Sequence, residues 1–111
     1  MHGRQPLVVL VTAPSETVAL EIGRTLVDER LADCVSVVPG LTSIYQWEGR
    51  REETPEALLL IKTRPEGYSA LQRRVLELHP YSMPEVLGLP VAEGAPAYVQ
   101  WVRESIPIEG G

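Results

Sequence analysis

The chain has 111 residues, 44% of them hydrophobic and 23% charged, an ordinary composition for one globular domain over 1–111. Ten basic against fifteen acidic residues leave a formal charge of −5, which repels phosphate backbones and excludes nucleic acid as a natural partner. A single cysteine allows no intrachain disulfide, and no run approaches the roughly twenty apolar residues of a membrane span, so a soluble, cytoplasmic protein with no membrane partner is expected.

Leu7-Val-Val-Leu-Val11 is unbroken and apolar, which predicts a central strand over 6–13 but is too short for a signal-peptide core. Pro14-Ser15 ends it. Ser15 as N-cap and Glu16 in the first turn predict a helix over 15–30, with Val18, Ala19, Ile22, Leu26 and Val27 as its apolar stripe. Cys34 to Trp47 is rich in β-branched and aromatic residues, and the strand it predicts, 32–47, is far longer than the usual five or six residues. Pro39-Gly40 predicts a bulge or bend at which the strand changes neighbours. Its second half, from Leu41 on, then reaches beyond the sheet and needs cover, for which a second subunit is the natural source.

Glu48-Gly-Arg-Arg-Glu-Glu53 reads as a six-residue connector, and Pro55 to Lys62 as a returning central strand, 54–63. Thr63 and Glu66 have capping-box spacing ahead of a helix over 65–78, whose apolar positions are Tyr68, Leu71, Val75 and Leu78. His79-Pro-Tyr-Ser-Met-Pro-Glu85 is a stiff connector. Val86 to Val91 predicts an edge strand, 85–91, because Pro90 lacks a donor, and a short helix over 95–104 follows before a fraying tail. The order βαββαβ plus a helix, folded by right-handed crossovers, predicts an α+β, ferredoxin-like antiparallel sheet with strands one and three central. The apolar runs do not alternate, so the face left bare by two helices must be buried by the last helix or another subunit.

Enzyme motifs are absent: there is no nucleophile elbow, no phosphate loop and no histidine pair at metal spacing. Cys34 opens a strand, where a lone cysteine is more often a small hydrophobe than a ligand. His79 at a helix C-terminus favours a structural role, Met83 favours packing, and Tyr45, Trp47, Tyr81 and Trp101 favour core or interface positions. Lys62 and Glu85 flank strands, where a charge entering a partly buried cleft needs a counter-charge. His2 is assigned no role.

With these residues set out, the sequence resembles the CutA divalent-cation tolerance family through Leu26-Val-Asp-Glu-Arg-Leu-Ala-Asp-Cys-Val35, Val38-Pro-Gly-Leu-Thr-Ser-Ile-Tyr45 and Trp47-Glu-Gly49. Leu58-Leu-Leu-Ile-Lys-Thr63, Leu78-His-Pro-Tyr81, Pro84-Glu85, Leu89-Pro-Val91 and Tyr98-Val-Gln-Trp101 continue the likeness. The resemblance implies a homotrimer with no enzymatic activity and no organic cofactor, which binds copper or another divalent metal ion. Cys34 and His79 match the family's recurrent cysteine and histidine; either identical side chains converge from different subunits or Glu85 completes a local site beside His79, and the sequence does not choose between the two. Trp47, Lys62, Tyr81 and Glu85 match its polar-aromatic set, the first three in a cleft between subunits. Ser36 stands where the family usually has asparagine, and Ser82-Met83 replaces an acidic-aliphatic pair, which removes one ligand beside His79. The family's structural kinship to nitrogen-regulatory PII proteins implies an alternative, a trimer that binds a small effector in inter-subunit clefts, although six residues make a short connector for a mobile PII-type loop.

Overall fold

The computed structural model describes residues 5–105; His2 and the tail 107–111 lie outside the described residues. The elements in chain order are β1 (Leu7–Ala13), α1 (Glu16–Asp28), β2 (Cys34–Trp47), β3 (Arg50–Thr63), a 3₁₀ turn (Pro65–Gly67), α2 (Tyr68–Leu78), β4 (Val86–Pro90) and α3 (Pro96–Glu104). All strand pairs are antiparallel and the sheet order is β2-β3-β1-β4. The two unbroken apolar runs therefore take the two central places, and the strand carrying Pro90 takes an edge, where its missing donor leaves no ladder bond unmade.

α1 begins as its sequence dictates. Ser15 is extended and its Oγ accepts from the Val18 N–H at 3.2 Å, satisfying one of the orphan donors of the first turn. The helix stops at Asp28, two residues short of the expected end, because Arg30 turns left-handed (φ 63°) and the Leu31 N–H closes on the Leu26 carbonyl. Ala19, Ile22, Gly23 and Leu26 face the sheet, whereas Val27, assigned to the apolar stripe, lies exposed on its margin. Gly23 lets the helix approach: a Cβ there would stand 3.0 Å from Val35 Cγ1.

The second helix starts differently from expectation. Residues 65–67 form a 3₁₀ turn, α2 begins only at Tyr68, and no side chain caps either segment. Thr63 cannot act as the cap, because its hydroxyl is buried and donates to the Leu31 carbonyl at 2.9 Å. Arg74 ties α2 to the end of α1 by a two-pronged contact with Glu29, both bonds 2.8 Å, and it holds the Glu29 carboxyl below its ordinary pKa. The pair is exposed and screened, so it orients the two helices more than it stabilises them.

The core lies between this helical layer and one face of the sheet: Val9, Val11 and Ala13 of β1, Ala57, Leu59 and Ile61 of β3, with Leu26, Leu71 and Val75 from the helices. The alternate residues point to the other face. There the rungs align Val8 with Lys62 and Leu89, Leu10 with Leu60 and Leu87, and Cys34, Ser36 and Val38 with Lys62, Leu60 and Leu58. Leu87, Leu89 and Val38 are exposed, and Val8, Leu10, Leu58 and Leu60 only half-buried. α3 covers part of the margin: Val102 is buried, Tyr98 interacts with Cys34, and the Ser105 carbonyl accepts from Arg30 at 3.3 Å. The remaining apolar surface is left open.

β2 and β3 pair beyond the sheet as a two-stranded arm, from Leu41–Glu56 to Trp47–Arg50, and the molecule measures 50 × 27 × 22 Å. Two expectations are corrected here. The supposed six-residue connector is a two-residue turn, Glu48-Gly49, because both residues adopt positive φ (50° and 77°), the geometry whose twist matches that of the strands. At Pro39-Gly40 the strand does not change neighbours: the register slips between Val38 and Leu41, with Gly40 at φ 77°, while β3 remains the partner on both sides.

Candidate functional site

The residues singled out from the sequence fall into three places. Cys34 and Lys62 share a rung at one end of the open face. Lys62 Nζ donates to Ser36 Oγ at 2.9 Å and to the Leu60 carbonyl at 3.2 Å. Cys34 is a free, half-buried thiol beside the Tyr98 hydroxyl, whose pKa is raised by burial, then by Cys34 and Asp33. Next to it, Asp33 Oδ1 accepts from Ser105 Oγ, while Oδ2 is buried without a hydrogen-bond partner. Desolvation pushes the Asp33 carboxyl up to about 6, against the attraction of Arg64 and Arg30.

His79 and Tyr81 lie toward the opposite end. His79 is 7% exposed. Its Nε2–H donates to the Thr12 carbonyl at 2.7 Å and its Nδ1 accepts from the Tyr81 N–H at 3.1 Å, a partner set that fixes the tautomer. The two rings stack at a tilt with centroids 4.8 Å apart. Tyr81 OH then donates to Glu56 Oε2 at 3.0 Å, and Glu56 Oε1 accepts from Ser43 Oγ at 2.6 Å, so the proline-rich connector is bonded to the base of the arm. Burial, then Glu56, raises the Tyr81 pKa. Glu85 is exposed just before β4. Trp47 is the third location, 53% exposed at the tip of the arm.

Thr12, which holds His79, is opposite Leu58 on β3, and Cys34 is opposite Lys62; four residues of strand separate those rungs, about 13 Å. Cys34 and His79 therefore do not share a ligand sphere within one protomer, and a metal at His79 has to displace a hydrogen bond already made. Among the described residues no group of three or more His, Cys, Asp or Glu is placed to hold a metal ion. The expected set Cys34, His79 and Glu85 does not compose one site within the protomer.

Sequence reasoning missed Glu56, the hub between connector and arm. Its signal was an acid immediately before an apolar strand run, legible only once the two-residue turn sets Glu56 near Ser43. Nothing local to Asp33 foretells that Ser105, 72 positions away, closes on it.

With the fold and these positions described, comparison with known proteins is decisive. The model of the CutA1 divalent ion tolerance protein family matches residues 7–105. This chain belongs to the CutA family. The CutA divalent-cation tolerance protein of Thermus thermophilus is 54% identical over 98 residues, covering 88% of this chain and 95% of that one. A CutA homolog of Xenopus laevis is 50% identical over 97 residues, and the match spans only 64% of its length. The solved structure of the Thermus thermophilus divalent cation tolerance protein superposes with a TM-score of 0.88 at 52% identity, covering 92% of this chain and 99% of that one. CutA1 from a psychrotrophic Shewanella gives 0.89 at 31% identity, covering 96% and 99%. The α+β architecture, a four-stranded antiparallel sheet with three helices, is thus the CutA architecture, and the family is named for ion tolerance, not for a reaction.

Proposed function

We propose that this chain works as a homotrimeric divalent-cation tolerance protein, a single ferredoxin-like domain per subunit, binding copper or another divalent ion weakly and catalysing no reaction. The observation that carries the reading is the two-stranded arm continuing from an uncovered apolar face: Leu41, Tyr45 and Trp47 alternate along β2 on that side. An arm with two bare edges needs partners, and other copies offer identical arms. Assembly also bears on metal. Copper favours imidazole and thiolate among the available donors, each protomer contributes Cys34, His79 and Glu85 at separate positions, and threefold repetition brings identical side chains together. The names of the relatives supply the divalent-cation role. Among the described residues no helix is long and apolar enough to cross a membrane, and we place the protein in the cytoplasm, although relatives carry chloroplastic and periplasmic designations.

Native mass spectrometry with and without copper, followed by calorimetric copper titration of the parent, His79→Ala and Cys34→Ser, tests this. A trimer that takes up copper, with affinity lowered in either variant, is the expected result. A folded monomer at micromolar concentration ends the assembly reading, and equal copper affinity in all three proteins removes both residues as ligands.

One observation favours a second reading, a trimer that binds a small effector. Lys62 carries its charge on the apolar face with no carboxylate at ion-pair distance among the described residues. The tight Glu48-Gly49 turn gives no mobile PII-type loop, so such an effector acts through the sheet face and not through a swinging segment.

A further inference from the structure

Lys62 is the place where the electrostatics of the open face are incomplete. Its ammonium has three donors, of which Ser36 Oγ and the Leu60 carbonyl take two. Neither partner carries a charge. The rung neighbours are Val8 on one side and Cys34 on the other, with Leu89 beyond Val8, so the charge stands among side chains that do not solvate it. A cation on an apolar surface is stabilised by an anion that also fills its free donor position. The chain has an excess of acids, yet Asp33, next to Cys34, has its carboxyl engaged by the Ser105 hydroxyl, and the acids of the arm lie at the other end of β3. The other polar hydrogen gathered here is the Ser36 hydroxyl beside the ammonium, since the Tyr98 hydroxyl is engaged with Cys34, across the rung. Donors with one positive charge and an apolar surround select a small oxyanion over a cation.

We propose that Lys62, with the Ser36 hydroxyl beside it, forms a receptor on the open sheet face for a small oxyanion, a carboxylate or phosphate group. The proposal rests on the effector-binding reading and names the part of the effector that is recognised. The ammonium supplies charge and a free donor, and Ser36 orients it. A carboxylate supplied by a second copy of the chain is the rival occupant.

The test is amide NMR titration of the assembled protein with inorganic phosphate, acetate and citrate, each at constant ionic strength set with chloride, following Cys34, Ser36 and Lys62. The parent is expected to show saturating shifts at these positions, at least tenfold weaker binding in Lys62→Met and a few-fold weaker binding in Ser36→Ala. The relative midpoints of phosphate and acetate tell which oxyanion is preferred. The side-chain ammonium signal of Lys62 in the parent is followed as well, so the proposal stands or falls even where Lys62→Met does not fold. Linear shifts that track ionic strength, a silent ammonium signal, or a Lys62→Met midpoint equal to the parent's overturn it. An altered oligomer mass in Lys62→Met without phosphate binding by the parent also overturns it, and assigns the ammonium to a neighbouring copy. Citrate binding equally well to parent and Lys62→Met keeps the effector reading while removing Lys62 from it. Phosphate saturation without citrate binding keeps Lys62 while ending the effector reading.

Discussion

Asp33→Asn isolates the electrostatic cost of a half-buried carboxyl. Burial pushes the Asp33 pKa up from 3.8 to about 6, and Oδ2 has no hydrogen-bond partner. The folded pKa lies above the unfolded one, so the folded protein holds this proton more tightly. The favourable contribution is complete below about pH 4 and is lost as pH rises to about 6, above which the charged carboxyl is a constant burden. At 1.36 kcal/mol per unit the shift amounts to about 3 kcal/mol for a group sealed from water; Asp33 is only half-buried, and screening brings this to about 1 kcal/mol. Asparagine keeps an oxygen to accept from Ser105 and removes the charge. Urea unfolding of parent and variant at one fixed protomer concentration, so that assembly affects both alike, is expected to show the variant about 1 kcal/mol more stable at about pH 7.5 and equal to the parent at about pH 3.5. A variant less stable at the higher pH refutes the reasoning by showing that the attraction of Arg64 and Arg30 outweighs desolvation, and a gap of the same size at both refutes it by showing an effect independent of ionisation.

Leu59→Ala empties a position of zero exposure at the centre of β3 and is expected to cost about 2–5 kcal/mol in urea unfolding; a loss within error of zero contradicts the placement of the core. Ser15→Ala removes the cap acceptor for the Val18 N–H, with an expected cost of about 1 kcal/mol, read from the shift in thermal midpoint. Ile44→Asp places a charge on the arm at a residue 63% exposed in the protomer; sedimentation is expected to show dissociation, and an unchanged assembly mass with an unchanged melt removes the arm from the interface.

The sheet was legible because its signals are local and redundant. Leu7 to Val11 and Ala57 to Ile61 are continuous apolar runs that only central strands accommodate, and Pro90 marked the edge. The errors have a common physical source, namely hydrogen-bond partners that residue type and spacing alone do not reveal. The Glu48-Gly49 turn takes up Arg50 to Glu53 as strand, because pairing with Ile44 to Trp47 satisfies backbone groups that a polar loop leaves to water. Thr63 has the right spacing for a cap but spends its hydroxyl on Leu31, 32 positions earlier. His79, Tyr81, Cys34 and Lys62 stand out by residue type, yet their separation into two ends of one face follows from strand register, which composition does not carry. Glu56 and Asp33 gain their importance from Tyr81 and Ser105, and no spacing rule joins those pairs.

The turn at Glu48-Gly49 also sets a timetable. The β2–β3 rungs begin at Trp47–Arg50 and extend, past the slip after Val38, to Cys34–Lys62, whereas Leu7 must find Thr63 across half of the chain. Loop closure favours the short separations, and hairpins zip within microseconds. Rungs near the turn therefore form early, and the central β1–β3 pairing that completes the core comes late. During that interval the nascent chain presents a two-edged ribbon with Ile44, Tyr45 and Trp47 unprotected. Arg50, Arg51, Glu52 and Glu53 on the facing strand act as gatekeepers, their charges discouraging indiscriminate stacking of ribbons, and Pro39 withholds a donor from the neighbouring edge. The polar stretch that reads as a loop in the sequence thus protects the chain from aggregation before its core exists.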